Sequence, residues 1–492
     1  MDEIELKEII KECKNRMKPD GLKTQDQQLP QLSWILLLRC IDGFEQKRKA
    51  LERDFQESIP KPYRWKDWAG TGDKAMTGDM LLEFVNSKLF PALSELRPEK
   101  GRESRIVISS AFTDFKNRIL NGYALRQIIN DVDKIKVEKP SELKIFAKVY
   151  LEEITEWTNE AEKKAYFFTP RALANFIVSI VKPNFKKKEK VFDPACGLGG
   201  FLIESLNYMK KDEKAKSDIK KLRFDSLQGN EKSAEIYLCG VLNMMLQDID
   251  TPNILNKNSL ETPTQDIPPE GEFEIIMSNP TYNEAESKNV KLNLPYELQT
   301  TDSALHFWFR IMEMLKQGGR AAMILPNGPL FGSGKAAKIK QRLLEGFNLH
   351  TIVRLPESIF APRTGIQTNI LFFDRAGKTK DIWYYQMKVA ERLRNPAKPK
   401  VEPSYSKTKL LEIQDFDEIS EWFKDKKEND LAWKVSVDEI KEYNLDIKNP
   451  NDVEPTIDLS PHELIKQIID DEKKTLSLLD DVEKLIQKEI PK

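Results

Sequence analysis

Val191-Phe-Asp-Pro-Ala-Cys-Gly-Leu-Gly-Gly-Phe-Leu-Ile-Glu204 decides how the rest of the chain is read. A short apolar run ends in an acid and a proline, a glycine-rich turn follows, and an apolar helical stretch begins. Glycines at 197, 199 and 200 let the backbone approach a ligand and take turn angles that a side chain would forbid. A P-loop would need Gly-Lys-Ser/Thr here, and the dinucleotide fingerprint fails because Leu202 stands in place of its last glycine. Taken alone, the segment could also be an ordinary strand–turn–helix junction.

Around it, between about 151 and 385, short β-branched runs alternate with helical stretches. They are Lys190–Phe192, Ser226–Gln228, Phe273–Met277, Arg320–Leu325, His350–Leu355 and Asn369–Phe373. Strands separated by helices predict an α/β domain with a mostly parallel, twisted sheet. In such sheets ligands lie beyond the carboxyl ends of the strands, so the residues just after each run matter most. After Phe273–Met277 come Ser278-Asn-Pro-Thr-Tyr282. The Asn279 side-chain oxygen and the Pro280 carbonyl are two acceptors able to orient an exocyclic amine, and Tyr282 supplies a ring on which a planar base can stack.

Residues 1 to about 150 predict a helical N-terminal domain. Gln31–Leu38 reads as a buried helix, Met80–Phe90 carries a helical stripe, Pro60–Trp65 is a break, and Ser104–Ile108 alone hints at a strand. From 386 to 492 the chain is irregular and charged, with a Pro-rich linker at 395–400. It closes in an amphipathic helix from Pro461, expected either to pack on its own domain or to pair with partner helices.

Composition narrows the class. There are 78 Lys and Arg against 79 Asp and Glu, a net charge of −1, whereas a protein gripping DNA unaided usually carries a basic excess. Much of any DNA grip is therefore expected from another subunit. The longest apolar run near the N-terminus, Trp34–Leu38, is stopped by Arg39, and the first residues alternate in charge, which predicts neither a membrane span nor a secretory signal. Cys13, Cys40, Cys196 and Cys239 stand far apart without a CxxC pair, so reduced thiols, a cytoplasmic location and no metal site are expected.

Asp193–Glu204 followed by Asn279-Pro-Thr-Tyr282 resembles the N6-adenine DNA methyltransferases in their gamma motif order. Tyr166-Phe-Phe-Thr-Pro-Arg171 is similar to their phenylalanine–threonine–proline–arginine cofactor-binding segment. The resemblance narrows to the modification subunit of type I restriction–modification systems through Gly318–Pro326, Thr364–Phe373 and Tyr443–Pro450, and is strongest over about 160–375. It implies the S-adenosylmethionine-dependent methyltransferase fold and S-adenosyl-L-methionine as cofactor. It also implies duplex DNA as substrate, and as partners a specificity subunit, a second modification subunit and a restriction (endonuclease and translocase) subunit.

Carried over residue by residue, Asn279, Pro280 and Tyr282 form the catalytic segment. Tyr166, Thr169 and Pro170 shape the methionine pocket, and Asp193, Ala195, Gly197, Gly199 and Gly200 hold the methionine part of the cofactor. Glu231 binds the ribose and Asn258 flanks the adenine. Thr281 departs from the pattern, which has a second proline there; proline fixes φ where threonine leaves it free. Two rival readings are a catalytically weak or inactive methyltransferase-fold scaffold and a protein-glutamine methyltransferase.

Overall fold

A computed structural model describes residues 1–72, 75–160, 168–212, 224–247, 249, 251–282, 286–361, 365–397, 401–452 and 461–489. Nine strands form one sheet: β1 Val191–Asp193, β2 Leu227–Glu231, β3 Asn253–Asn256, β4 Phe273–Ser278, β5 Leu315–Pro326, β6 Asn348–Arg354, β7 Thr368–Asp374, β8 Asp381–Gln386 and β9 Ala432–Ser436. Their order is β3-β2-β1-β4-β5-β7-β6-β8-β9. The first five are mutually parallel, β7 runs antiparallel between β5 and β6, and β9 pairs antiparallel with β8. After β3 the chain returns across β1 to lay down β4, so the winding reverses between β1 and β4. That switch opens a crevice at the strands' carboxyl ends, where Asp193 and Ser278 stand side by side.

Strands β4 and β7 are buried along nearly their whole length because helices cover the sheet. The helix Gly200–Met209 packs against Arg171–Val181, and Ser303–Met314 packs against Lys335–Gly346. The helix Ala234–Leu246 is buried from Ile236 to Leu246, because the N-terminal helices Gln25–Leu51 and Pro140–Glu160 lie on it. Polar atoms in this contact are satisfied in a chain: Cys239 Sγ lies 3.5 Å from Ser33 Oγ, which is 2.7 Å from the Tyr150 hydroxyl.

Two expectations change. Ser104–Ile108 is the first half of a helix, Ser104–Thr113, not a strand. Its β-branched Val107 and Ile108 pair with Ala111 and Phe112 as one buried helical face, so tertiary packing overrides local β preference. The boundary expected near 385 falls inside β8, and β9 brings residues 432–436 into the same sheet. By compactness the chain divides into Met1–Ile447 and Lys448–Lys492. In the second unit the helix Pro461–Glu489 carries Ile465, Ile468, Ile469, Leu476 and Leu479 exposed. Among the described residues no helix is long and apolar enough to cross a membrane, and all four cysteines are free and buried.

Candidate active site

The turn after β1 is built by its own backbone. Asp193 Oδ1 accepts the Ala195 N–H at 3.0 Å and the Ser278 hydroxyl of neighbouring β4 at 3.1 Å. Gly197 and Gly199 have φ of +53° and +81°, and a side chain at 199 would also collide with Met244, whose Cγ would lie 2.6 Å from the added carbon. Glu231, ending β2, reaches back to this turn: Oε2 accepts the Gly197 N–H at 3.1 Å and Oε1 the Ser233 N–H at 2.7 Å. Burial pushes the Asp193 carboxyl up to about 7, and the Glu231 charge adds to the rise, against the lowering effect of the Ala195 and Ser278 hydrogen bonds.

At the end of β4 the Asn279 carboxamide is clamped at both ends. Its Nδ2 donates to Thr169 Oγ1 at 3.1 Å, and its Oδ1 contacts the Tyr282 hydroxyl, which also lies 2.9 Å from the Ile324 carbonyl. Tyr282 is buried, only 2% exposed, so in this state its ring is a wall of the interior and not an open platform. The carbonyl of Thr281 accepts the Ser303 hydroxyl at 3.0 Å, a tether that restrains the position where the related pattern has proline.

Two cavities meet here. The larger, of 280 Å³, runs past Thr169, Pro170, Asp193, Gly200 and Glu204; the smaller, of 60 Å³, runs past Glu231, Lys232, Asn258 and Thr281. Phe168, Ala195, Gly197 and Asn279 border both, so the clamped carboxamide stands at their junction. A bent ligand spanning the two would lie against the glycine turn and beside Asn279.

The sequence matches the N-6 DNA methylase family over residues 141–458. It is 37% identical over 471 residues to the methylase subunit of the EcoEI type I restriction enzyme of Escherichia coli, covering 93% of each chain. The chain belongs to the N-6 DNA methylase family. A crystal structure of a modification subunit assigned to a type I restriction enzyme of Vibrio vulnificus superposes with a TM-score of 0.79 at 36% identity, over 91% of this chain and 97% of that one. A chain from a solved type I R-M system gives a TM-score of 0.75 at 30% identity, over 98% of each.

Within this N-6 DNA methylase Thr169, Pro170, Asp193, Ala195, Gly197, Gly200 and Asn279 line the larger cavity and Glu231 and Asn258 the smaller; Gly199, Pro280 and Tyr282 line neither, and Tyr166 lies outside the described residues. Pro170 caps the helix Arg171–Val181. Asn258 ends the β3 turn, its Oδ1 accepting the Leu260 N–H at 3.0 Å. Other lining residues were not singled out from sequence. Glu204, 4% exposed, is held by Arg171 Nε at 2.7 Å and Asn175 Nδ2 at 2.8 Å on the wall of the larger cavity; the i, i+4 spacing of Arg171 and Asn175 was its only sequence signal. Leu151, Ile154 and Thr155 enter that wall from the N-terminal helix, and Tyr405, Leu410 and Leu411 from beyond β8. No local pattern marks these, because a distant segment supplies an apolar surface with no special chemistry.

Proposed function

We propose that this chain transfers the methyl group of S-adenosyl-L-methionine to N6 of an adenine flipped out of duplex DNA, as the modification subunit of a type I restriction–modification complex. The Asn279 carboxamide, clamped at the junction of the two cavities, is the observation that carries the reading. The larger cavity suits the methionine part, beside Asp193 and the 197–200 turn, and the smaller suits the adenosine, with Glu231 beside the ribose and Asn258 beside the base. S-adenosylmethionine supplies the electrophilic methyl. Asn279 Oδ1 and the Pro280 carbonyl accept the two N–H bonds of the target amine and aim its lone pair. The amine attacks as a neutral nucleophile and loses its proton once cationic, so the site needs orientation and partial negative charge and no strong base. Tyr282 must turn its face to the extruded base, which breaks its contact with Asn279 Oδ1 and frees that acceptor for the amine.

Transfer of labelled methyl to duplex DNA, with and without a specificity subunit, tests this reading. Transfer only in the assembled complex is expected; cofactor binding without transfer in any assembly would favour the inactive-scaffold reading, and transfer to a protein glutamine in place of DNA would replace it. Glu231→Gln keeps one acceptor for the Gly197 turn and removes the charge. Hydrogen bonds to a charged group contribute about 1.5–3 kcal/mol. The variant is therefore expected to bind S-adenosylmethionine at least several-fold more weakly by calorimetry and, because the new amide nitrogen cannot accept the second backbone N–H, to melt somewhat lower without ligand.

The partners we propose are a specificity subunit that reads the DNA sequence, a second modification subunit and a restriction subunit. Support comes from the charge balance of −1 and from the exposed apolar side chains of Pro461–Glu489. At spacings of three, four and seven residues they lie along one helical face, as a helix that pairs with partner helices requires. Deleting 461–492 is expected to abolish co-purification with the specificity subunit and to leave cofactor binding intact. Undiminished co-purification would remove the helix from the interface.

A further inference from the structure

The segment that follows the catalytic residues returns to the far end of the cofactor crevice. Glu286, the first described residue after Tyr282, has a side chain only 8% exposed. Its Oε2 accepts Asn258 Nδ2 at 3.3 Å, and its Oε1 lies 3.5 Å from Lys232 Nζ. Its backbone N–H is fixed to the Thr301 carbonyl at 3.0 Å. Lys232 follows Glu231 directly, and Lys232 and Asn258 both line the smaller cavity. One carboxylate from the catalytic loop thus bridges the two elements that bound the adenosine end.

The hydrogen bonds also fix which way the Asn258 amide points. Only its oxygen can accept the Leu260 N–H, and only its nitrogen can donate to Glu286. Turning the amide over would break both bonds and set oxygen against carboxylate. We propose that Glu286 is a positioning residue: through Asn258 and Lys232 it ties the chain beyond the catalytic residues to the adenine end of the cofactor site, so that filling the site steadies Asn279–Tyr282. This rests on the proposed placement of adenosine in the smaller cavity.

The test uses the full chain and S-adenosylhomocysteine as probe, with affinity read by calorimetry and loop order by amide hydrogen exchange. Glu286→Ala is expected to weaken binding by roughly three- to tenfold, the range of a lost hydrogen bond. Glu286→Gln, which keeps an acceptor for Asn258, should retain most of the affinity. Asn258→Ala combined with Glu286→Ala should be no worse than the weaker single variant, because the two act as one unit. In the wild-type chain the probe should slow exchange over both 195–200 and 279–286. In Glu286→Ala it should still protect 195–200 and no longer protect 279–286, a split that a general loss of structure would not give. If the wild-type chain binds no probe, the cofactor placement and the tie both fall. If it binds and Glu286→Ala matches it in affinity and in protection of 279–286, the tie alone is overturned.

Discussion

Asn279→Ala is expected to abolish methyl transfer in the assembled complex while leaving S-adenosylmethionine affinity within about twofold. The Asn279 amide borders both cavities and bonds to Thr169 and Tyr282, and its truncation leaves the turn after β1, held by Asp193 and Glu231, in place. What disappears is an acceptor aimed at a nitrogen that becomes cationic in the transition state. Preorganised groups of this kind contribute about 2.7–4 kcal/mol, or roughly 10²–10³ in rate, and misplacing the amine adds to the loss. Tyr282→Phe provides the contrast. It keeps a ring for the base and removes the hydroxyl that contacts Oδ1, so it should retain most of the transfer that Asn279→Ala loses. Single-turnover transfer of labelled methyl to a cognate duplex measures both. Near-normal transfer by Asn279→Ala would reduce the segment to a strand-ending turn.

The second large effect is in pH. Burial pushes the Asp193 carboxyl, on the wall of the larger cavity, up to about 7. A cationic methionine ammonium beside it favours the ionised form, so binding must release a proton wherever Asp193 is protonated. Affinity is then expected to rise about tenfold per pH unit well below 7 and to level off above it, roughly 16-fold between pH 5.5 and 7. Calorimetry in buffers of different ionisation enthalpy counts the proton. Stability has the opposite sign. The folded chain holds this proton more tightly than the unfolded chain, whose Asp titrates near 3.8. Asp193 therefore contributes less stability to the ligand-free protein as pH rises from about 4 through 7. Asp193→Asn should flatten both profiles, weakening cofactor binding above pH 7 and removing this residue's loss of stability there. A binding profile that stays steep in Asp193→Asn would assign the proton to another group.

The parts of the site legible in the sequence are those where a strand end and a turn lie in one short window. Asp193 to Gly200 and Asn279 to Tyr282 carry their own punctuation, because a backbone that must bend at a ligand needs glycine or proline in place. Glu231 follows the β-rich run at 226–228, whereas Asn258 was singled out by the family resemblance alone. What escaped had no such window. The burial of Tyr282 depends on Ile324 of the next strand, and the tether of Thr281 depends on Ser303. Glu286 is separated from Asn258 by 28 positions, and only the folded loop brings them together. Strand β9 was missed because Ala432-Trp-Lys-Val-Ser436 is short and surrounded by charge, and it is stabilised by its pairing with β8. The helix at Ser104–Thr113 shows the converse, a β-branched run turned helical by what it packs on.

The helix Pro140–Glu160 has 21 residues, so it is about 30 Å long at 1.5 Å per residue. One stretch of it, with Leu151, Ile154 and Thr155, forms a side of the larger cavity, and Tyr150 beside them is fastened to Ser33. The larger cavity and the N-terminal helices therefore share one mechanical frame. Anything that clasps those helices and shifts this rod by a fraction of an ångström changes the room in the cavity. By thermodynamic reciprocity, occupancy of the cavity alters how tightly the clasp holds, to the same degree.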